Sequence, residues 1–165
     1  MKSIALLGFL ALLILQLAPA PYDFTTPPFD KQFAVAADAD VPAPVVRILR
    51  RSCMDCHSHE TRIPWYGRVA PVSWLLAKDV TEAREAMNLS DWGYGSAAVR
   101  MARTVAACQA VRGGRMPKPQ YLMLHPEARL SASDVEAMCG WSKAALAAMA
   151  RKKREASDPA PGAMR

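Results

Sequence analysis

Residues 45–57 read VVRILRRSCMDCH, a short apolar run that ends directly in a C-x-x-C-H step. Val45, Val46, Ile48 and Leu49 recur at helical spacing, and Ala43-Pro44 supplies a first turn in which proline is tolerated. A helix from about residue 43 therefore delivers the chain into Cys53. Cys53 and Cys56 stand one helical turn apart, so their thiols face one side and can add to the two vinyl groups of a haem. His57 follows at once, where its imidazole can swing under the same macrocycle as the proximal iron ligand. One covalently bound haem c, held by Cys53, Cys56 and His57, is the expectation that organises the rest of the chain.

Two competing chemistries use the same dithiol. A structural zinc site needs four ligands, usually with a second close pair. The remaining candidates, Cys108, Cys139, His59 and His125, show no such spacing. A thioredoxin-like dithiol belongs at a strand-to-helix junction in a βαβ unit, and no strand pattern accompanies CMDCH. Haem attachment is favoured over both.

The chain of 165 residues is 52% apolar but only 7% aromatic, and Ala and Leu dominate over Val and Ile. That balance favours helix over sheet, and the length suits one small domain. The net charge of +6 does not point to nucleic acid. Much of it sits in Lys143 and Arg151-Lys152-Lys153-Arg154, without a phosphate loop or an aromatic–basic platform, so it reads as a solvated helix end and tail.

MKSIALLGFLALLILQLAPA opens with one basic residue and runs apolar from Ile4 to Leu15. Residues 1–20 are read as an export signal, either an uncleaved anchor or a signal peptide. Ala18-Pro19-Ala20 imitates a cleavage site, but Pro21 would follow the cut, which favours an anchor to the bacterial inner membrane. The stretch through Ala20 is near the lower limit for spanning a bilayer. The domain then lies in the periplasm, where haem c attachment and cysteine oxidation both take place. Residues 21–42 are Pro-rich and read as an extended tether, and residues 43–150 as the domain. Residues 151–165 read as a basic disordered tail.

Within the domain, Val72, Leu76, Val80, Ala83 and Met87 mark a helix ended by Asn88, and residues 97–112 mark another that stops at Gly113-Gly114. Ser133 and Glu136 offer a capping box for a last helix. The segment RMPKPQYLMLHPEARL, with Pro117, Pro119 and Pro126, is expected to be an irregular loop. The fold class is all-α: a small cytochrome c-like domain of about four helices around one haem, with this loop carrying the distal ligand. Met116, a thioether on a proline-flanked loop just past a helix stop, is the first candidate for that position, and His125 is the alternative. His59 is too close to His57 to reach the opposite haem face and is assigned to the surface. Cys108 and Cys139 lie on apolar faces of two helices, and both a disulfide and two buried thiols fit that placement.

CMDCHSHETRIPWYGRVAPVSWLLAKDV, EAMNLSDW and GRMPKPQYLMLHPEARLSASDVEAM together resemble the small bacterial haem-binding domain family. The likeness covers roughly residues 40–145. It rests on CxxCHS, a PWY segment, an N-[LF]-S-x-W step, and an MPP-x-x-Y stretch with an HP step after it. The resemblance implies covalent haem at Cys53 and Cys56, His57 as proximal ligand, and an exported, often membrane-tethered domain. Met116 falls on its MP step and His125 on its HP step. Two positions depart from the pattern: Ala83 stands before Arg84 where the family has glycine, and Lys118 stands where it has a second proline. The expected function is one-electron transfer to a redox partner protein, with no general base, triad or carboxylate pair near the motif to suggest an enzyme. A haem-containing subunit or carrier in a membrane complex, and a peroxidase or gas sensor with a labile distal ligand, are the alternatives.

Overall fold

The computed structural model describes residues 2–18 and 26–157. Among them the regular structure is entirely helical. The helices are α1 (Lys2–Leu15), α2 (Ala43–Ser52), α3 (Met54–His57), α4 (Val72–Ala86), α5 (Ala97–Arg112), α6 (Pro119–Leu124) and α7 (Ala132–Ser157), with short 3-10 turns between several of them. The small helical domain expected from composition is therefore present. The chain divides into two compact units, Met1–Phe29 with Met54–Ser90, and Asp30–Cys53 with Asp91–Arg165.

In the first unit, α4 buries Ala77, Val80 and Ala83 on one face, the three- and four-residue spacing of an amphipathic helix. That face packs against α3 and against the 3-10 turn Trp65–Arg68. Ala83 is buried, so only a small side chain suits it. α1 is apolar on every side and buries none of its residues. Its C-terminal end is held by Gln16, whose side-chain amide donates to the Ala70 carbonyl at 3.2 Å and accepts from the Ala70 N–H at 2.9 Å. No helix of the described residues is long and apolar enough to cross a membrane. The expected continuous stretch through Ala20 breaks into a turn after Leu15, and the cleavage-like Pro19, Ala20 and Pro21 lie outside the described residues.

In the second unit, α5 and α7 pack side by side, and α2 lies against the start of α7. α2 buries Val45, Ile48, Leu49 and Ser52 at the predicted helical spacing. Arg51 donates to the Asp134 carboxylate at 2.8 Å, tying α2 to α7. Trp92 and Trp141 are both buried, with ring centroids 5.5 Å apart, and the Trp92 indole N–H donates to Asp38 at 2.8 Å. The choice left open for Cys108 and Cys139 is resolved here: Cys108 of α5 and Cys139 of α7 form a disulfide, with Cα atoms 4.8 Å apart.

Four local expectations are corrected. The segment read as an extended tether is folded from Asp30 onward: Asp30 caps a 3-10 turn at Lys31–Phe33, Val35 is fully buried, and Phe33 stacks on Tyr94 at 4.2 Å. Gly93 permits that approach, because a Cβ there would come within 3.1 Å of the Phe33 backbone. The Pro-rich segment after Met116 is not irregular throughout, since Pro119 opens α6, where its missing N–H costs nothing. The cap of α7 is Ser131 with Asp134, not Ser133 with Glu136: the Asp134 N–H donates to Ser131 Oγ at 3.1 Å, and the Ser131 N–H donates back to Asp134 at 2.9 Å. The expected tail is helical as far as Ser157, and residues 158–165 lie outside the described residues.

Candidate functional site

Cys53 is the C-cap of α2, its N–H donating to the Leu49 carbonyl at 2.9 Å. The buried face of α2 thus fixes where this cysteine leaves the helix. Met54 to His57 make one further helical turn, α3, with Met54 buried and Cys56 and His57 half-buried. Cys53 and Cys56 are outside the Cys108–Cys139 disulfide. Ser58, almost fully buried, ends the turn by donating its hydroxyl to the Met54 carbonyl at 2.7 Å and accepting the Glu60 N–H at 2.9 Å.

The residues that follow α4 hold this turn in place. His57 Nδ1 lies 3.0 Å from the Met87 carbonyl oxygen. A carbonyl can only accept, so the Nδ1 carries the proton and the ring lone pair is on Nε2. The Leu89 N–H donates to the His57 carbonyl at 2.7 Å, so the same strip of chain grips both the ring and the backbone of His57. One residue on, the His59 N–H donates to Ser90 Oγ at 2.9 Å, and the Asn88 amide donates to His59 Nε2 at 2.8 Å. Asn88 is in turn fixed by accepting the Ser90 N–H at 3.0 Å. Arg84 reaches from α4 to the Ser58 carbonyl at 2.9 Å and to the Thr61 hydroxyl at 3.0 Å. The N-L-S step and Arg84 therefore form a hydrogen-bonded cradle under the C-H-S-H segment.

This cradle corrects one reading. His59, assigned to the surface, is half-buried, bonded to Asn88 and met edge-on by Phe29 at 5.9 Å. Met87, placed on the stripe of α4, adds a role through its backbone, since its carbonyl orients His57. Neither role has a signature in spacing, because the bonded partners lie about thirty positions apart in sequence. The one visible signal was the N-L-S-D-W step itself.

Met116 belongs to the second unit and follows a complete helix stop. Gly114 has φ +65°, the Gly114 N–H donates to the Val111 carbonyl at 3.2 Å, and the Arg115 N–H donates to the Ala110 carbonyl at 3.0 Å. These are the two bonds of a Schellman motif. The Met116 N–H also reaches Ala110 O, at 3.3 Å, so the backbone of the candidate ligand is pinned to the end of α5. Its side chain is half-buried. His125 is the C-cap of α6, stacked on Tyr121 at 4.3 Å and paired through Nδ1 with Glu127 at 3.0 Å. That pairing and a backbone hydrogen bond, the larger cause, hold the Glu127 carboxyl below its ordinary range.

A match to the family model of the haem-binding domain spans residues 10–144, which includes both units and the end of α1. The chain belongs to the haem-binding domain family. No curated protein and no solved structure matches it. For this haem-binding protein the donor set suits the cofactor. His57 is held in the tautomer a proximal ligand requires, with its second nitrogen on a backbone carbonyl, the usual outer support of a metal-bound imidazole. Among the described residues no three His, Cys, Asp or Glu side chains gather for a metal ion, and no strand is present.

Proposed function

We propose that this haem-binding protein is a monohaem c-type cytochrome that carries single electrons to a partner protein in the bacterial periplasm. The observation that carries the reading is the 3.0 Å contact of His57 Nδ1 with the Met87 carbonyl, made inside a C-x-x-C-H step. Cys53 and Cys56 supply the two thioethers, His57 the proximal nitrogen, and Met116 the distal sulfur, with His125 as the alternative. Bound there, the haem supplies a one-electron change between ferric and ferrous iron. The chain's own residues contribute orientation. The Met87 carbonyl fixes the imidazole, Leu89 N–H fixes its backbone, and the Schellman stop fixes the Met116 backbone. The disulfide supports the periplasmic assignment, because such bonds persist in oxidising compartments. The apolar α1 supports attachment to the inner membrane.

The test is a visible spectrum of protein matured with cytochrome c assembly machinery, oxidised and dithionite-reduced, alongside a haem-stained denaturing gel. Stain that survives denaturation, sharp reduced α and β bands, and a weak ferric charge-transfer band that Met116→Ala abolishes are the expected results. Covalent stain with a broad high-spin spectrum moves the reading to a peroxidase or sensor. Absence of covalent stain overturns the thioether assignment.

A further inference from the structure

The first unit carries an apolar surface that its own fold leaves uncovered. Ile63, Trp65, Val69, Val72 and Leu75 are all exposed, Trp65 at 79% of its full surface. They are not scattered. Ile63 and the α4 residue Leu76 both come close to Gly67 in the turn that precedes α4, while Val72 and Leu75 lie one helical turn apart at the start of α4. Ala70, itself buried, sits at the centre of this sequence, and Ala70 is the residue that Gln16 clasps with both atoms of its amide.

The clasp tells what covers the surface. α1 has exposed Leu, Ile and Phe side chains on every side and no polar face. A helix that is apolar all round either sits in a protein core or in lipid, and no residue of α1 is buried in the chain. At about 1.5 Å per residue its 14 residues extend roughly 21 Å, well into a hydrocarbon layer about 30 Å thick. A helix so embedded leaves that layer at Leu15–Gln16, where the clasp joins it to the Ala70 turn. The same stretch of chain as Ala70 carries the exposed Trp65, an aromatic type enriched at membrane–water interfaces, and the exposed Arg68, a cation suited to anionic headgroups. The family match, which begins at residue 10, places this end of α1 within the domain.

We propose that the 63–75 face of the first unit lies on the bilayer surface, set there by the Gln16–Ala70 clasp, with phospholipid as its occupant. This deepens the membrane attachment proposed above and rests on it. The experiment uses the full-length holoprotein in vesicles of phosphatidylcholine with a minority of phosphatidylglycerol. A fraction of the phosphatidylcholine bears a diazirine near its headgroup, and adducts are located by peptide mass spectrometry. Adducts on α1 and on residues 63–75 together are expected. In Gln16→Ala the α1 adducts persist while those on 63–75 fall several-fold, with the haem spectrum unchanged. Adducts confined to α1 leave the attachment standing and overturn the proposed face. A mature chain lacking residues 2–18, or no lipid adducts at all, overturns both readings.

Discussion

At the scale of single residues, the candidate site depends on groups that hold His57 more than on His57 itself. Asn88 is buried, donating to His59 and accepting from Ser90. Removing its amide strips a partner from the part-buried His59 ring and the buried Ser90 N–H, at about 1–3 kcal/mol for an unsatisfied buried polar group. Asn88→Ala should lower stability by that amount in urea titrations, while Asn88→Asp, which keeps the acceptor toward Ser90 N–H, should lose less. Gly114 is the second such position. Its φ of +65° costs any residue with a Cβ about 1–2 kcal/mol, so Gly114→Ala should destabilise and Gly114→Asn should be the milder change. The C-x-x-C-H reading came from spacing alone, because the proposed attachment needs two thiols and an imidazole at fixed positions. Asn88, Leu89 and Met87 were legible only as a motif, because their partners are distant in sequence and two of the three act through the backbone.

Among elements, the helices were the most legible part of the fold. α2 and α5 begin and end where periodicity and the Gly113-Gly114 stop placed them, because apolar spacing and breaker residues act locally. The start of α7 was misread because two serine boxes overlap there. Ser131 won over Ser133 through its reciprocal bonds with Asp134, a residue that α2 also holds through Arg51. That arrangement has a pH consequence. The Ser131 N–H beside it, and more weakly the Ser131 hydroxyl and Arg51, hold the Asp134 carboxyl below the ordinary aspartate range against the opposing effect of burial. A depressed folded value means the stabilisation is complete above the unfolded value of about 3.9 and is lost as pH falls through the folded one. Asp134→Ala should therefore cost about 1 kcal/mol near neutral pH, the usual worth of a helix cap. Its difference from the parent protein should shrink below about pH 4, as chemical denaturation across an acid series would report.

For the whole molecule, the four cysteines must satisfy two chemistries at once, and their bookkeeping is testable. Cys108 and Cys139 are joined, closing a 31-residue separation between α5 and α7. On the chain-entropy account such a loop is worth about 2–4 kcal/mol, so Cys108→Ser should lower the denaturation midpoint, and reduction of the parent protein should do the same. Cys53 and Cys56 stand outside that bond. If they form thioethers, their sulfurs are consumed by carbon–sulfur bonds that a phosphine cannot break. Denatured, unreduced holoprotein should then titrate with no thiols, and after phosphine reduction with two. A zinc site would release two thiols on denaturation and four after reduction. A second disulfide at Cys53–Cys56 would give none before reduction and four after. The count after reduction therefore decides the central assignment without reference to activity: two thiols require that Cys53 and Cys56 hold the haem covalently, and four mean that they do not.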